Sequence, residues 1–263
     1  MKRKSTGIAA MAVATLFSGC GGSDSAAITE NFTIGPSTTT TLATGSAQGL
    51  YEGVASNGRY FNTLVLENDQ FTIIYGNRLN NVFTVTGLIT GSGQSGNGSF
   101  SSTDLKDFPA GGIPLAGTLS ASFIPATSFN AVVNRAGQAI TFAGTVPSST
   151  SYVYNSLANL ADIVGAWDMT TLTGEPVALN IAANGSFTAA SAGCGFTGTI
   201  APRVSGRNVF NVVITFGPAP CVLASQTVSG HAVTYLLGNG QRQLIAAATD
   251  ATKNNATVVF GAR

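Results

Sequence analysis

The chain has 263 residues, only 9% of them charged, and its 12 basic and 11 acidic side chains leave a formal net charge of +1. No lysine- or arginine-rich patch follows the first four residues, which argues against nucleic acid as a partner. Low charge, 32 glycines and many short β-branched runs point to an all-β protein.

The chain opens on "MKRKSTGIAAMAVATLFSGC", with Lys2, Arg3 and Lys4, an apolar run from Ile8 to Phe17, then Ser18, Gly19 and Cys20. That run is too short to span a bilayer as a stable helix and reads as a secretory signal. The stretch Phe17-Ser18-Gly19-Cys20 resembles the lipobox of bacterial lipoproteins, with phenylalanine where the family usually has leucine. The resemblance implies a signal peptide over residues 1–19 and lipidation of Cys20. With Gly21 rather than aspartate next, it implies outer-membrane delivery, lipid-anchored and facing the periplasm or the cell surface. No later run is long and apolar enough for a transmembrane helix, so the lipid would be the only anchor. Residues 20–47 are small, polar and aperiodic, and are expected to form a flexible tether.

An internal repeat follows. At a constant offset of 116, Gly49 matches Gly165, Tyr51 matches Trp167, Gly58 matches Gly174, Val65 matches Ile181, Asn68 matches Asn184 and Phe71 matches Phe187. Beyond that the offset slips: "TGLI" at Thr86 pairs with "TGTI" at Thr197, "GTLSAS" at Gly117 with "GHAVTY" at Gly230, and "FAG" at Phe142 with "VFG" at Val259. An ordered series of this kind reads as one unit written twice, over residues 48–154 and 163–263.

In "VALNIAANGSFTAA" an alternating run enters Asn184-Gly185 and an alternating run leaves it, a strong hairpin signal. In the first copy Asn68-Asp69 serves the same kind of turn. Each copy holds about six to eight short strands, and a sheet of that size protects its edges by closing into a small barrel. The expected fold is two tandem antiparallel β-barrels. A short helical linker over 155–162 would join them, capped by Asn155 or Ser156. Phe61, Phe71, Phe83, Phe100, Phe123, Phe129 and Phe142 would fill the first barrel, whereas the alanine-rich second copy leaves more room for a cavity.

A glycine, one residue and then Trp167 at the start of a first strand resembles the opening of lipocalin-type barrels. The closing "VVFGAR" resembles the last strand of barrel domains in transferrin-binding-protein-B-like lipoproteins. The first resemblance implies that Trp167, and Tyr51 in the first copy, pack across a barrel base. Neither carries a ligand over.

With Cys20 lipidated, Cys194 and Cys221 remain, both in the second copy, and a disulfide between them is expected in an oxidising envelope. "GSGQSG" at Gly91 has the spacing of a dinucleotide fingerprint but lacks a helix pattern after it, so it reads as a hairpin loop. His231 is the only histidine, which leaves little scope for zinc or triad chemistry, and no "GxSxG" elbow occurs. The carboxylate pairs Glu67/Asp69 and Asp104/Asp107 read as solvated turn charges. No cofactor, no metal and no enzymatic activity are expected. The expected function is a non-catalytic envelope lipoprotein that binds an envelope protein partner through the glycine-rich loop at Ser95 and the neighbouring Asp104, Lys106 and Asp107. The alternative is a lipocalin-like carrier of a small apolar ligand in the second barrel.

Overall fold

The structure is a computed structural model that describes residues 45–79 and 82–263. The expected signal peptide, Cys20 and the tether up to residue 44 lie outside the described residues. The first barrel is built from β1 (Gly49–Ala55), β2 (Tyr60–Val65), β3 (Gln70–Leu79), β4 (Val82–Ser92), β6 (Ser99–Pro109), β7 (Leu115–Ile124), β8 (Ser128–Arg135) and β9 (Gln138–Thr145). A three-residue strand, β5 (Gln94–Gly96), pairs on the edge of β6. Antiparallel pairing of β1 with β9 and of β4 with β6 closes the sheet. The second barrel comprises β10 (Gly165–Thr171), β11 (Pro176–Ile181), β12 (Ser186–Ser191), β13 (Cys194–Pro202), β14 (Phe210–Phe216), β15 (Thr227–Leu236), β16 (Arg242–Thr249) and β17 (Ala256–Ala262), closed by β10 on β17. The expected all-β tandem of eight-stranded barrels is therefore what the chain forms.

The repeat is visible in the strand register itself. Gly49 faces Val65 and Tyr51 faces Thr63, just as Gly165 faces Ile181 and Trp167 faces Leu179, each pair displaced by 116 residues. The turns coincide as well: Gly58 and Gly174 hold φ of +80° and +88°, a region open to glycine at little cost. In the next turn Asp69 at φ +59° occupies the place of Gly185 at +82°. The pairing of "FAG" with "VFG" also holds, since Ala55 faces Phe142 and its counterpart Thr171 faces Val259. One match is corrected. Phe71 faces Gly91 and Phe187 faces Gly198, so Thr197-Gly198 corresponds to Thr90-Gly91, not to Thr86-Gly87. The slip comes from hairpin length, since Phe71 and Gly91 are 20 residues apart and Phe187 and Gly198 only 11. The longer hairpin also carries a bulge: Tyr75 faces Gly87 while Gly76 faces Val85, so Thr86 is one residue too many on β4.

That bulge also decides which way Phe83 points. An extra residue inverts the in-out alternation, so Phe83 and Val85 face away from the lumen although Ile89 faces into it. The other six phenylalanines expected inside the first barrel are there, interlocked by edge contacts such as Phe71–Phe100 and Phe61–Phe142. Phe83 instead joins Leu50, Leu64, Ile74, Leu88, Val233, Tyr235, Ile245 and Phe260 in a third apolar cluster between the two barrels. There the outer faces of β2–β4 pack on those of β15–β17. At its centre the Gln243 amide donates to the Phe83 carbonyl (2.7 Å) and accepts from the Phe83 N–H (3.1 Å).

Each barrel is plugged at one end. Trp167 Nε1 donates to the Ile163 carbonyl and Tyr51 Oη to the Ala47 carbonyl, each four residues upstream (2.7 and 3.0 Å). Burial pushes the Tyr51 phenol up to about 12. Ala47 is itself fully buried, so the last part of the segment expected as tether packs into the barrel end. The expected helical linker is reduced to one 3₁₀ turn, Leu160–Asp162, capped by Asn159 rather than by Asn155 or Ser156. The segment lies across the barrel end, with Ala158 and Ile163 buried beside Trp167. No helix among the described residues is long and apolar enough to cross a membrane.

Candidate functional site

The second end of each barrel is formed by the hairpins β1–β2, β3–β4, β6–β7 and β8–β9 in the first, and by β10–β11, β12–β13, β14–β15 and β16–β17 in the second. In the first barrel this mouth is sealed by charge. Asp107, fully buried, accepts from Tyr75 Oη at 2.7 Å and pairs with Arg135, while the Arg59 guanidinium lies 5.3 Å from the Tyr75 ring centroid. Burial raises the Asp107 carboxyl above its ordinary range, against the pull of Tyr75, Arg135 and Arg59. Burial and the neighbouring Asp107 also push the Tyr75 phenol up.

The mouth of the second barrel is built differently. Phe196 and Phe216, neighbours across β13 and β14 with ring centroids 5.4 Å apart, stand where a plug would be. Beside them Leu172, Pro220, Val222 and Leu223 extend the apolar surface, and Phe108, Pro109 and Pro114 reach over from the β6–β7 hairpin of the first barrel. Together they enclose an open cleft of about 480 Å³, within the size range of small-molecule sites. Val222 is 98% exposed and Ile113, in the β6–β7 hairpin, 77% exposed. The disulfide Cys194–Cys221 ties the Pro218–Ser225 loop to the start of β13, and so fixes one wall of the cleft. Glu175 is the one ionisable side chain among the described residues that line it.

The lumen below is nearly filled, with an apolar void of about 30 Å³ among Val177, Leu179, Phe187, Ile200 and Leu244. The alanines expected to leave a cavity do not. Ala246 and Ala248 face inward against bulky neighbours, and Ala247 faces the other barrel. Space for a ligand is at the rim, not inside.

A second, more polar groove of about 370 Å³ runs between the barrels and is lined by Gln70, Thr90, Ser92, Ser229, His231, Thr249 and Lys253, among others. Next to it Arg203 grips Glu67 of the first barrel through Nε (2.9 and 3.1 Å) and Nη2 (2.7 Å), and its Nη1 lies 3.2 Å from His231 Nε2. A guanidinium has no acceptor, so this Nε2 accepts and His231 is the neutral Nδ1–H tautomer. Burial first, and then the Arg203 charge, push the imidazole down to about 4. Burial raises the Glu67 carboxyl, but the Arg203 hydrogen bonds and charge bring it below its usual range.

The residues expected to form an interaction loop are strand residues engaged within the chain. Ser95 lies in β5, where its hydroxyl donates to Asp69 (2.6 Å) and accepts from the Ala47 N–H (3.0 Å). Asp104, Lys106 and Asp107 lie in β6. Asp104 pairs with Lys253 of the second barrel (2.6 Å), and Lys106 reaches Asn254 (3.4 Å). Asp107, sealed in the first mouth, is not a solvated turn charge, whereas Glu67 is an exposed turn residue paired with Arg203. The "GSGQSG" stretch runs from the end of β4 into β5, and no helix opens after it. Tyr51 and Trp167 are buried in the cores of their barrels, and Cys194 bonds Cys221. Among the described residues no group of three His, Cys, Asp or Glu side chains is placed to hold a metal ion.

Sequence reasoning missed the rim residues Phe108, Leu172, Phe196, Phe216, Val222 and Leu223. The available signal was apolar residues inside two Pro- and Gly-rich turns, "FPAGGIP" and "FGPAPCV".

No family model matches the chain, and no curated protein matches it significantly. Among solved structures it is similar to a protein of unknown function from the DUF3598 family of Nostoc punctiforme PCC 73102, at 14% identity and a TM-score of 0.25, with 82% of this chain and 95% of that chain covered.

Proposed function

We propose that the chain is a non-catalytic binding module of the bacterial cell envelope, held at the outer membrane through a lipid on Cys20, that takes a small apolar ligand in the rim cleft of its second barrel. The observation that carries this reading is the contrast between the two mouths. One is sealed by Asp107 and Arg135, and the other is an apolar cleft of about 480 Å³ walled by Phe196 and Phe216. A lipocalin-like lumen is not needed, because the rim supplies the volume. A protein partner docking on Ser95, Asp104, Lys106 and Asp107 is the less favoured reading, since each of these side chains already has a partner within the chain.

Titration with the neutral dye Nile red tests the proposal. Saturable fluorescence enhancement is expected, with affinity about tenfold lower in Phe216→Ala, as removing most of one buried ring costs on the order of 1.5–3 kcal/mol. Trp167, at the opposite end, reports whether the variant is folded. No saturable binding by folded protein, together with capture of one specific envelope protein by crosslinkers at Ser95 and Lys106, overturns it.

A further inference from the structure

We infer that the rim cleft discriminates by charge, taking amphiphiles with a neutral or positively charged head and rejecting anionic ones, with Glu175 as the group that meets the head. The inference rests on the proposal that this cleft binds a ligand. Glu175 follows Gly174 in the β10–β11 turn, where its own N–H donates to Thr171 Oγ1 (3.0 Å) and its carbonyl accepts the Thr171 N–H (2.8 Å). The backbone is thus fixed by two bonds, while no described Lys, Arg or His lies within ion-pair distance of its carboxylate. Beside it the hydroxyls of Thr171 and Thr173 lie 3.0 Å apart, and either can accept from an ammonium head.

The surrounding charges strengthen the bias. On the facing β16–β17 turn, Asn254 and Asn255 line the cleft, and both are held from behind by Asp250, which accepts from the Asn254 N–H (3.0 Å) and from Asn255 Nδ2 (2.6 Å). Lys253 is committed to Asp104 and Ser92 of the first barrel, while Lys106 reaches the Asn254 side chain and does not itself line the cleft. An anionic head would therefore meet the Glu175 carboxylate and no lining cation, while its apolar part meets Phe196 and Phe216. A cation is drawn to the same place by Coulomb attraction to the exposed Glu175 carboxylate.

The experiment is displacement of Nile red from the full chain by dodecyltrimethylammonium and by dodecanoate, two amphiphiles with the same chain and opposite charge, below their micellar concentrations. The expected result is that the cation displaces the dye at concentrations at least about threefold lower than the anion does. That ratio falls below about threefold in Glu175→Gln and is kept in Asp168→Asn, which removes a carboxylate from the outer face of β10. Equal or better displacement by dodecanoate overturns the charge selection while leaving apolar binding intact. A ratio unchanged in Glu175→Gln, or lost equally in Asp168→Asn, overturns the role of Glu175. Failure of Nile red itself to bind overturns the underlying proposal and this inference with it.

Discussion

The guanidinium of Arg263 sits 4.0 Å from the ring centroid of Trp167 and donates to the carbonyls of Ala166 (3.0 Å) and Val164 (2.7 Å). The last strand is thereby fastened to the start of the first, over the plugged end of the second barrel. Arg263→Ala is expected to cost about 1–2 kcal/mol through the lost cation–π contact and two charge-assisted hydrogen bonds. Because Trp167 is the only tryptophan, the change is readable as a red shift of emission and easier quenching by acrylamide. Arg263→Lys restores only part of the stability, since an ammonium cannot serve the ring and both carbonyls in one plane.

His231 makes stability fall on mild acidification. Its folded-state value of about 4 lies below its ordinary 6.5, so between those limits the unfolded chain binds a proton that the folded chain refuses. Stability is therefore complete above pH 6.5 and declines as pH falls to about 4, by up to about 3 kcal/mol. Urea denaturation at a series of pH values should show this slope, and His231→Gln should flatten it. The depressed carboxyls of Glu67 and Asp104 add a further loss of the same sign at lower pH.

Two aspartates three residues apart should behave oppositely. Removing Asp107 leaves Arg135 and the Tyr75 hydroxyl without their buried partner, and Asp107→Ala is expected to cost about 3–5 kcal/mol. Asp104 is half-exposed against Lys253, and Asp104→Ala is expected to cost no more than about 1 kcal/mol. Denaturant midpoints of the two variants decide the matter, and near-equal losses would refute the buried pair.

Reducing the Cys194–Cys221 bond should lower stability by about 3 kcal/mol on chain-entropy grounds, the bridged residues being 27 apart in sequence. It should also release the loop that carries Pro220, Val222 and Leu223. Nile red affinity is expected to fall on reduction while Trp167 emission, which reports the far end, stays constant. A red shift of emission together with a loss of affinity would mean that the whole barrel had opened.

What could be read in advance was whatever follows from local chemistry. Strict alternation around Asn184-Gly185, the 116-residue offset and the cysteine pair each dictate a backbone geometry or a bond, and each is found. The inter-barrel face was not legible, because Phe83 and Phe71 are the same residue type in similar runs. Only the bulge at Thr86 sends the first outward, and a bulge has no composition signal of its own. The cleft escaped for a related reason: its walls are turns brought together from both copies, and apolar residues in turns carry no periodicity. The charges of β6 misled because a strand with Asp, Lys and Asp near its end resembles a solvated loop until its partners on β8 and the β16–β17 turn are known.

The two copies meet through unlike surfaces: the second to fourth strands of one barrel lie against the sixth to eighth of the other. A head-to-tail junction of this kind is heterologous and, repeated, would build a ring or a filament. The two surfaces left over are those that could continue it, the outside of β11–β13 and the outside of β7–β9. Both are surfaced with Asn, Ser, Thr and Ala: Asn180, Thr188 and Thr199 on one, Ser120, Asn130 and Thr141 on the other, all exposed. The used faces carry Leu64, Ile74, Ile245 and Phe260 in the corresponding rows. Among the described residues each copy thus places its apolar rows on the face that meets the other, and the matching faces are polar as the outer faces of terminal solenoid repeats are.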